Sequence, residues 1–167
     1  MPRKNIIVTG GYGFIGSYLI KELLKDKNVQ VCNIDKLTYS SNKNTIDSSN
    51  KNFSFVKGDI ADSKLLRNIF LDFQPDVIFN LAAETHVDRS IDSPNAFIKS
   101  NINGTFSLLH EGYNYWKLLP EDKKLNFKFI QISTDEVYGS LYKNEDPFDE
   151  NNLYKPNSPY SASKASA

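Results

Sequence analysis

Gly10, Gly13 and Gly16 recur at three-residue spacing between a short β-rich run, Asn5 to Thr9, and a segment with a helical apolar stripe at Ile15, Leu19, Ile20, Leu23 and Leu24. A strand that feeds a helix through so many glycines must turn tightly, with its backbone open to whatever lies above. The pattern then repeats in coarser form. Val29 to Ile34 reads as a second strand ending at Asp35, and Phe53 to Val56 as a third ending at Gly58-Asp59. Asp62-Ser63 is placed to cap a helix running through Leu65, Leu66, Ile69, Phe70 and Phe73, which Gln74-Pro75 ends. Val77 to Leu81 is a fourth strand, buried on both faces by its continuous apolar character. A long helix is expected over Asn95 to Trp116, then a loop through Pro120 and Glu121 to Lys124, then a fifth strand over Phe127 to Ile132.

Strands separated by helices of this length imply βαβ units, and therefore an α/β fold with a doubly wound parallel sheet of the Rossmann type in a single domain over residues 1–167. Tyr39 to Asn52 and Leu141 to Ser158 read as less regular connections. Twenty basic and twenty acidic residues cancel, so charge supplies no argument for nucleic acid or a membrane surface. No apolar run approaches the roughly 20 residues that span a bilayer. Cys32 is the only cysteine, which excludes an internal disulfide and fits a reducing compartment, and two histidines offer little to a metal. A soluble cytoplasmic protein without a metal is the expectation.

The glycines sit in the strand-to-helix context of a dinucleotide fingerprint, although their spacing is Gly-x-x-Gly-x-x-Gly. Gly10 serves the turn, Gly13 lets a pyrophosphate approach the backbone, and Gly16 lets the helix lie close to the strand. Asp35, nineteen residues beyond Gly16, is placed to accept from the adenosine ribose, which favours NAD over NADP; Lys36 beside it weakens that preference, since it could meet a 2′-phosphate. Asp59-Ile60 could meet an adenine edge, with a helix cap as the plain alternative for Asp59. Leu81-Ala82-Ala83-Glu84-Thr85 would let backbone approach a cofactor, or simply pack.

Tyr160 and Lys164 are i and i+4 and share a helix face. A nearby ammonium is expected to lower the Tyr160 pKa, so that the phenolate removes a hydroxyl proton while hydride leaves for the cofactor. Ser133-Thr134-Asp135-Glu136-Val137-Tyr138-Gly139 follows the fifth strand, where open α/β sheets bind their ligands. An alcohol dehydrogenase has no need of a carboxylate pair there. An elimination does, because one group takes a proton next to a carbonyl and another protonates the departing hydroxyl. An acidic loop, or Asp135 capping a short turn, explains the pair equally well. His86 could touch a substrate, with a structural hydrogen bond the favoured expectation; His110 is expected to do nothing chemical, and Tyr115 and Trp116 to pack.

Taken together, Gly10 through Gly16, Asp35-Lys36-Leu37-Thr38-Tyr39, Leu81 through Ile91, Ser133 through Gly139 and Ser158 through Ser166 resemble the extended short-chain dehydrogenase/reductase family and, within it, the dTDP-glucose 4,6-dehydratases. The resemblance implies that Tyr160 takes the C4 hydroxyl proton of a nucleotide sugar while C4 hydride passes to NAD, that Glu136 takes the C5 proton, and that Asp135 protonates the C6 hydroxyl as it leaves. It implies that Thr134 holds the C4 oxygen, that Lys164 orients the nicotinamide ribose, and that Thr85 faces substrate. Cofactor contacts are implied for Gly10, Gly13, Phe14, Ile15, Gly16, Asp35, Lys36, Leu37, Thr38, Asp59, Ile60, Leu81, Ala82, Ala83, Thr85, Ser100, Tyr160 and Lys164, and homodimerisation through the Asn95–Trp116 and Tyr160 helices. Family members run to about twice this length, so the chain is expected to lack a substrate domain, to be inactive by itself, and to fray over Tyr160–Ala167. A UDP-glucose dehydratase, another sugar-nucleotide epimerase or dehydratase, and an NAD-binding module without catalysis are the competing expectations.

Overall fold

The computed structural model describes residues 3–167. Five parallel strands, β1 (Lys4–Thr9), β2 (Val29–Asp35), β3 (Phe53–Lys57), β4 (Val77–Asn80) and β5 (Lys128–Gln131), form one sheet in the order β3-β2-β1-β4-β5. The sequence turns outward in both directions from β1, the doubly wound arrangement expected. Parallel pairing aligns the strand ends, since Thr9 lies beside both Ile34 and Asn80, and Asn80 beside Gln131. The loops that leave these ends share one edge of the sheet.

Alternation along β1 divides the core. Ile7 joins Ile34, Leu66, Phe70, Ile78 and Leu108 on one face, beneath α2 (Ser63–Phe73) and α5 (Thr105–Leu118). Ile6 and Val8 join Ile20, Val31, Ile46 and Val77 on the other, beneath α1 (Phe14–Leu23). Asp62 caps α2 by accepting from Leu65 N–H, and Gln74 closes it in the left-handed region.

Several expected boundaries shift. α1 stops at Leu23 instead of Lys27, where the Asn28 N–H turns back onto the Asp26 carboxylate. The helix expected over Asn95 to Trp116 is three segments: α4 (Pro94–Phe97), a π-helical stretch Ile98–Gly104, and α5. Its wide turn gathers where the Asn101 side chain bonds across to Glu84, a long-range tie that no local periodicity reveals. A further helix, α3 (Val87–Asp92), precedes it, and Glu121–Lys124 is a one-turn helix, α6, and not a loop. The last residues do not stand alone as a frayed end. α7 (Pro159–Ser166) begins with a reciprocal Ser158–Ser161 capping box and packs on α3, α4 and the π segment. Among the described residues no helix is long and apolar enough to cross a membrane.

Across the α2–α5 contact, the Arg67 guanidinium donates to both oxygens of the buried Glu111 carboxylate at 3.0 and 3.1 Å. That contact holds Glu111 below the usual carboxylate range against the opposing effect of burial. A depressed folded-state pKa contributes stability above the ordinary carboxylate range and loses it as pH falls. Arg67→Met should therefore lower urea resistance at neutral pH, by leaving a buried carboxylate unpaired. The deficit should shrink as pH falls through and below about 4, because the unpaired Glu111 of the variant is neutralised there while the wild type progressively loses the stability of the pair; urea titrations at neutral and acidic pH check this.

Candidate active site

The glycine turn sits as low as a backbone can. Gly10 has a φ of 67° and donates its N–H to Ile34 O at 2.9 Å; a Cβ there would lie 2.8 Å from the Ala82 backbone. A Cβ on Gly16 would lie 2.5 Å from Gly10 O. α1 thus begins in contact with the turn that precedes it. Gly13, its N-cap, offers no side chain to the first N–H groups, and Phe14 to Ser17 bring no acid. These N–H groups and the positive end of the helix dipole face the space above the sheet edge.

Asp35 is built into the same corner. Its Oδ1 accepts from Leu37 N–H and Ser41 Oγ, both at 2.8 Å, and its Oδ2 accepts from Tyr12 N–H at 3.0 Å. The acid therefore ties the glycine turn to the end of β2, and Oδ2 retains capacity for one further donor. Beside it, Lys36 pairs with Asp59, whose other contact is the Ala61 N–H at 3.0 Å. Partial burial would raise the Asp59 carboxyl; Lys36 and Ala61 outweigh it and hold it below the usual range.

The space enclosed is a cavity of about 500 Å³ running along the strand ends. Gly10, Gly13, Phe14, Ile15, Gly16, Asp35, Lys36, Thr38, Asp59, Ile60, Leu81, Ala82, Ala83, Thr85, Ser100, Tyr160 and Lys164 all line it. Leu37 does not. It adopts a φ of 63°, and its side chain packs against the core beneath α1. Glu84 lines the cavity with the rest of the Leu81–Thr85 segment, and Ser40, Ser41, His86 and Ser133 line it without having been singled out as cofactor contacts. At its rim the Arg89 guanidinium lies 3.8 Å from the centroid of the Tyr39 ring, and the Tyr39 hydroxyl donates to Glu84 at 3.4 Å. His86, expected to make a structural hydrogen bond, instead stands exposed with its ring 5.7 Å from that of Tyr39.

Tyr160 and Lys164 face the far end from one side of α7, both nearly buried. Lys164 Nζ donates to the Ile132 carbonyl at the end of β5. Asn101, fully buried, accepts from Glu84 N–H and donates to Glu84 O and Ser163 Oγ; Ser163 Oγ in turn donates to Tyr160 O at 2.7 Å. These contacts join α7 to the β4 loop.

Thr134, Asp135 and Glu136 stand beside the cavity. Thr134 caps a 3₁₀ turn, Asp135–Tyr138, by accepting from Glu136 N–H. A short turn is present, as one expectation had it, but Thr134 and not Asp135 caps it; Asp135 is exposed and Glu136 half-buried. Burial raises the Tyr160 phenol, and the charges of Glu136 and Asp135 raise it further, while interaction with the Thr134 hydroxyl lowers it. Lys164, expected to lower the phenol, donates to the Ile132 carbonyl, and burial lowers its own pKa. Elsewhere His110 stacks on Phe106, and Trp116 donates to Lys124 O, a packing role as expected. No cluster of potential metal ligands occurs among the described residues.

The contact of α1 with the glycine turn is open to a direct check. Gly16→Ala should destabilise the chain by about 1–3 kcal/mol, because the clashing atoms are backbone and cannot step aside. Gly112→Ala, where the nearest atom to the new Cβ would be 3.7 Å away, should stabilise it by about 0.5–1 kcal/mol. Equilibrium denaturation of the two variants measures both.

The family model described as GDP-mannose 4,6 dehydratase matches residues 7–167. A dTDP-glucose 4,6-dehydratase of Haemophilus influenzae is 50% identical over 165 residues, covering 98% of this chain and 49% of the relative. One of Neisseria gonorrhoeae is 46% identical over 167 residues, 99% of this chain and 48% of the relative. Among solved structures, a dTDP-glucose 4,6-dehydratase from Bacillus anthracis in complex with NAD superposes with a TM-score of 0.81 at 40% identity, covering 98% of this chain and 47% of that one. A UDP-glucose 4-epimerase of Thermotoga maritima with UDP-glucose gives 0.82 at 32% identity, over 97% and 48%. The chain spans about half the length of the curated relatives it matches. Since the match runs through every wall of the cavity, from the glycine turn to the Tyr160–Lys164 helix, the chain belongs to the GDP-mannose 4,6-dehydratase family.

Proposed function

We propose that this chain is the NAD-binding and proton-transfer half of a nucleotide-sugar 4,6-dehydratase acting on dTDP-glucose. The observation that carries the reading is the 3₁₀ turn Asp135–Tyr138, which leaves the end of β5 with two adjacent carboxylates and packs on α7, the helix that carries Tyr160 and Lys164. A simple alcohol oxidation needs the tyrosine alone. The elimination of water from a 4-ketosugar needs a base for C5 and an acid for the C6 hydroxyl, and two carboxylates in different surroundings supply that pair.

The cavity fits a dinucleotide. Its uncapped helix start and low glycine turn suit a pyrophosphate, and the unfilled acceptor capacity of Asp35 Oδ2 suits a ribose hydroxyl. NAD would supply the oxidising power, receiving hydride from C4 and returning it to C6. The rest belongs to the chain. Thr134 holds the C4 oxygen and Tyr160 removes its proton. Lys164, held by Ile132 O, positions the ribose next to Tyr160. Glu136, half-buried, takes the C5 proton, and Asp135, open to solvent, delivers a proton to the departing hydroxyl. The exposed Phe106, Leu109 and Tyr113 on α5 suit packing against a second copy in the whole protein.

Calorimetry with NAD tests the cofactor half directly. Saturable binding is expected, and a chain that takes up no NAD would end this reading. For the chemistry, residues 1–167 joined to the C-terminal half of a curated relative should turn over dTDP-glucose. Asp135→Asn in that chimaera should slow water loss about 10²–10⁴-fold while C4 oxidation persists, seen as reduced cofactor at 340 nm. Unimpaired water loss would remove Asp135 as the acid, whereas inversion at C4 without any water loss in the unaltered chimaera would favour an epimerase-type use of the site. The 167-residue chain alone is expected to bind NAD and to release no 4-keto-6-deoxy product.

A further inference from the structure

Lys36 and Asp59 both line one end of the cavity, where β2 and β3 run out side by side. Lys36 directly follows Asp35, the acid placed for the adenosine ribose, and its Nζ pairs with Asp59 Oδ2. Asp59 is itself anchored by the Ala61 N–H. Of the two lysines in the cavity wall, Lys164 is buried at the far end and committed to the Ile132 carbonyl, so Lys36 is the cation within reach of the adenosine end. Asp35, Lys36 and Asp59 together carry one net negative charge. A dinucleotide with a 2′-phosphate would bring close to two further negative charges beside Asp35. Lys36 is the group that could compensate them, and Asp59 already holds it.

We propose that Asp59 is a specificity-determining residue, which excludes 2′-phosphorylated dinucleotides by sequestering Lys36 and by adding its own charge to that of Asp35. The inference rests on the dinucleotide reading of this cavity. It accounts for a lysine that would otherwise invite the wrong cofactor. The Lys36–Asp59 pair is partly exposed, so its effect is screened by salt.

The dissociation constants of NAD⁺ and NADP⁺ for the 167-residue chain, measured by calorimetry at low and high ionic strength, test it. In Asp59→Asn the ratio of the NADP⁺ to the NAD⁺ constant should fall about tenfold, from removal of one nearby charge and release of another. Asp59→Ser should act in the same direction while keeping an acceptor for Ala61 N–H, so the result does not hang on one variant folding. The fall should shrink at high salt and should be smaller when Asp59→Asn is made in a Lys36→Ala background, where only the charge of Asp59 itself is left to remove. An unchanged ratio in both Asp59 variants, or a fall of undiminished size without Lys36, would overturn the proposal. A wild-type chain that binds neither dinucleotide would overturn the cofactor reading beneath it; NAD⁺ binding with an unmoved ratio would overturn only the role of Asp59.

Discussion

Asn80, buried at the centre of the sheet, is the residue through which the functional edge is levelled. Its Oδ1 accepts from Thr9 Oγ1 at 2.6 Å, and its Nδ2 donates to Gln131 Oε1 at 2.7 Å and to Thr105 Oγ1 at 3.2 Å. Thr9 Oγ1 then accepts from Ala82 N–H at 3.1 Å. One side chain thus joins β1, β4, β5 and α5 where the strands end. A slip of any strand would leave buried polar groups unpaired, a loss far larger than the net gain from one ordinary hydrogen bond. Because the ends are level, the glycine turn after β1, the small residues after β4 and the Thr134 turn after β5 open onto one space.

The second tie runs through the π-helical stretch. By reaching Glu84 and Ser163 together, Asn101 connects the loop after β4 to α7, and α7 carries both Tyr160 and Lys164. Helical segments as short as α7 are marginal in isolation. Here the Ser158–Ser161 box, the Asn101 contact and the Lys164 bond to β5 give it tertiary support that its length does not. The departure from regular α-helical geometry thus falls next to the residues placed for chemistry, as such stretches often do.

Much of this was legible because its signals are local. Apolar runs of strand length, a helical stripe after three glycines and an acid at the end of the second strand are patterns within a few residues of each other, and each element they predicted is present to within a few positions. Asp62 announced itself as a helix cap by residue type alone. The signals that failed were those that depend on partners far along the chain. Leu37 sits among cofactor-type residues in sequence, yet its backbone turns it into the core. Nothing near Ser41 or Asn101 marks one as a partner of Asp35 or the other as a partner of Glu84 and Ser163.

The pairing of Tyr160 with Lys164 shows the same division at the level of chemistry. Their spacing placed both on one helix face, as helical geometry requires. The spacing could not reveal that Lys164 would donate to Ile132 O, or that burial, with the charges of Glu136 and Asp135, would raise the phenol. By itself the sequence determined the order of strands and helices, the glycine turn and the residue types at each strand end, because these follow from side-chain periodicity and backbone conformation. Only the tertiary structure decided which charges share the cavity and which are already paired, because electrostatic partnership depends on distance and burial, and a chain folded across five parallel strands sets both without regard to separation in sequence.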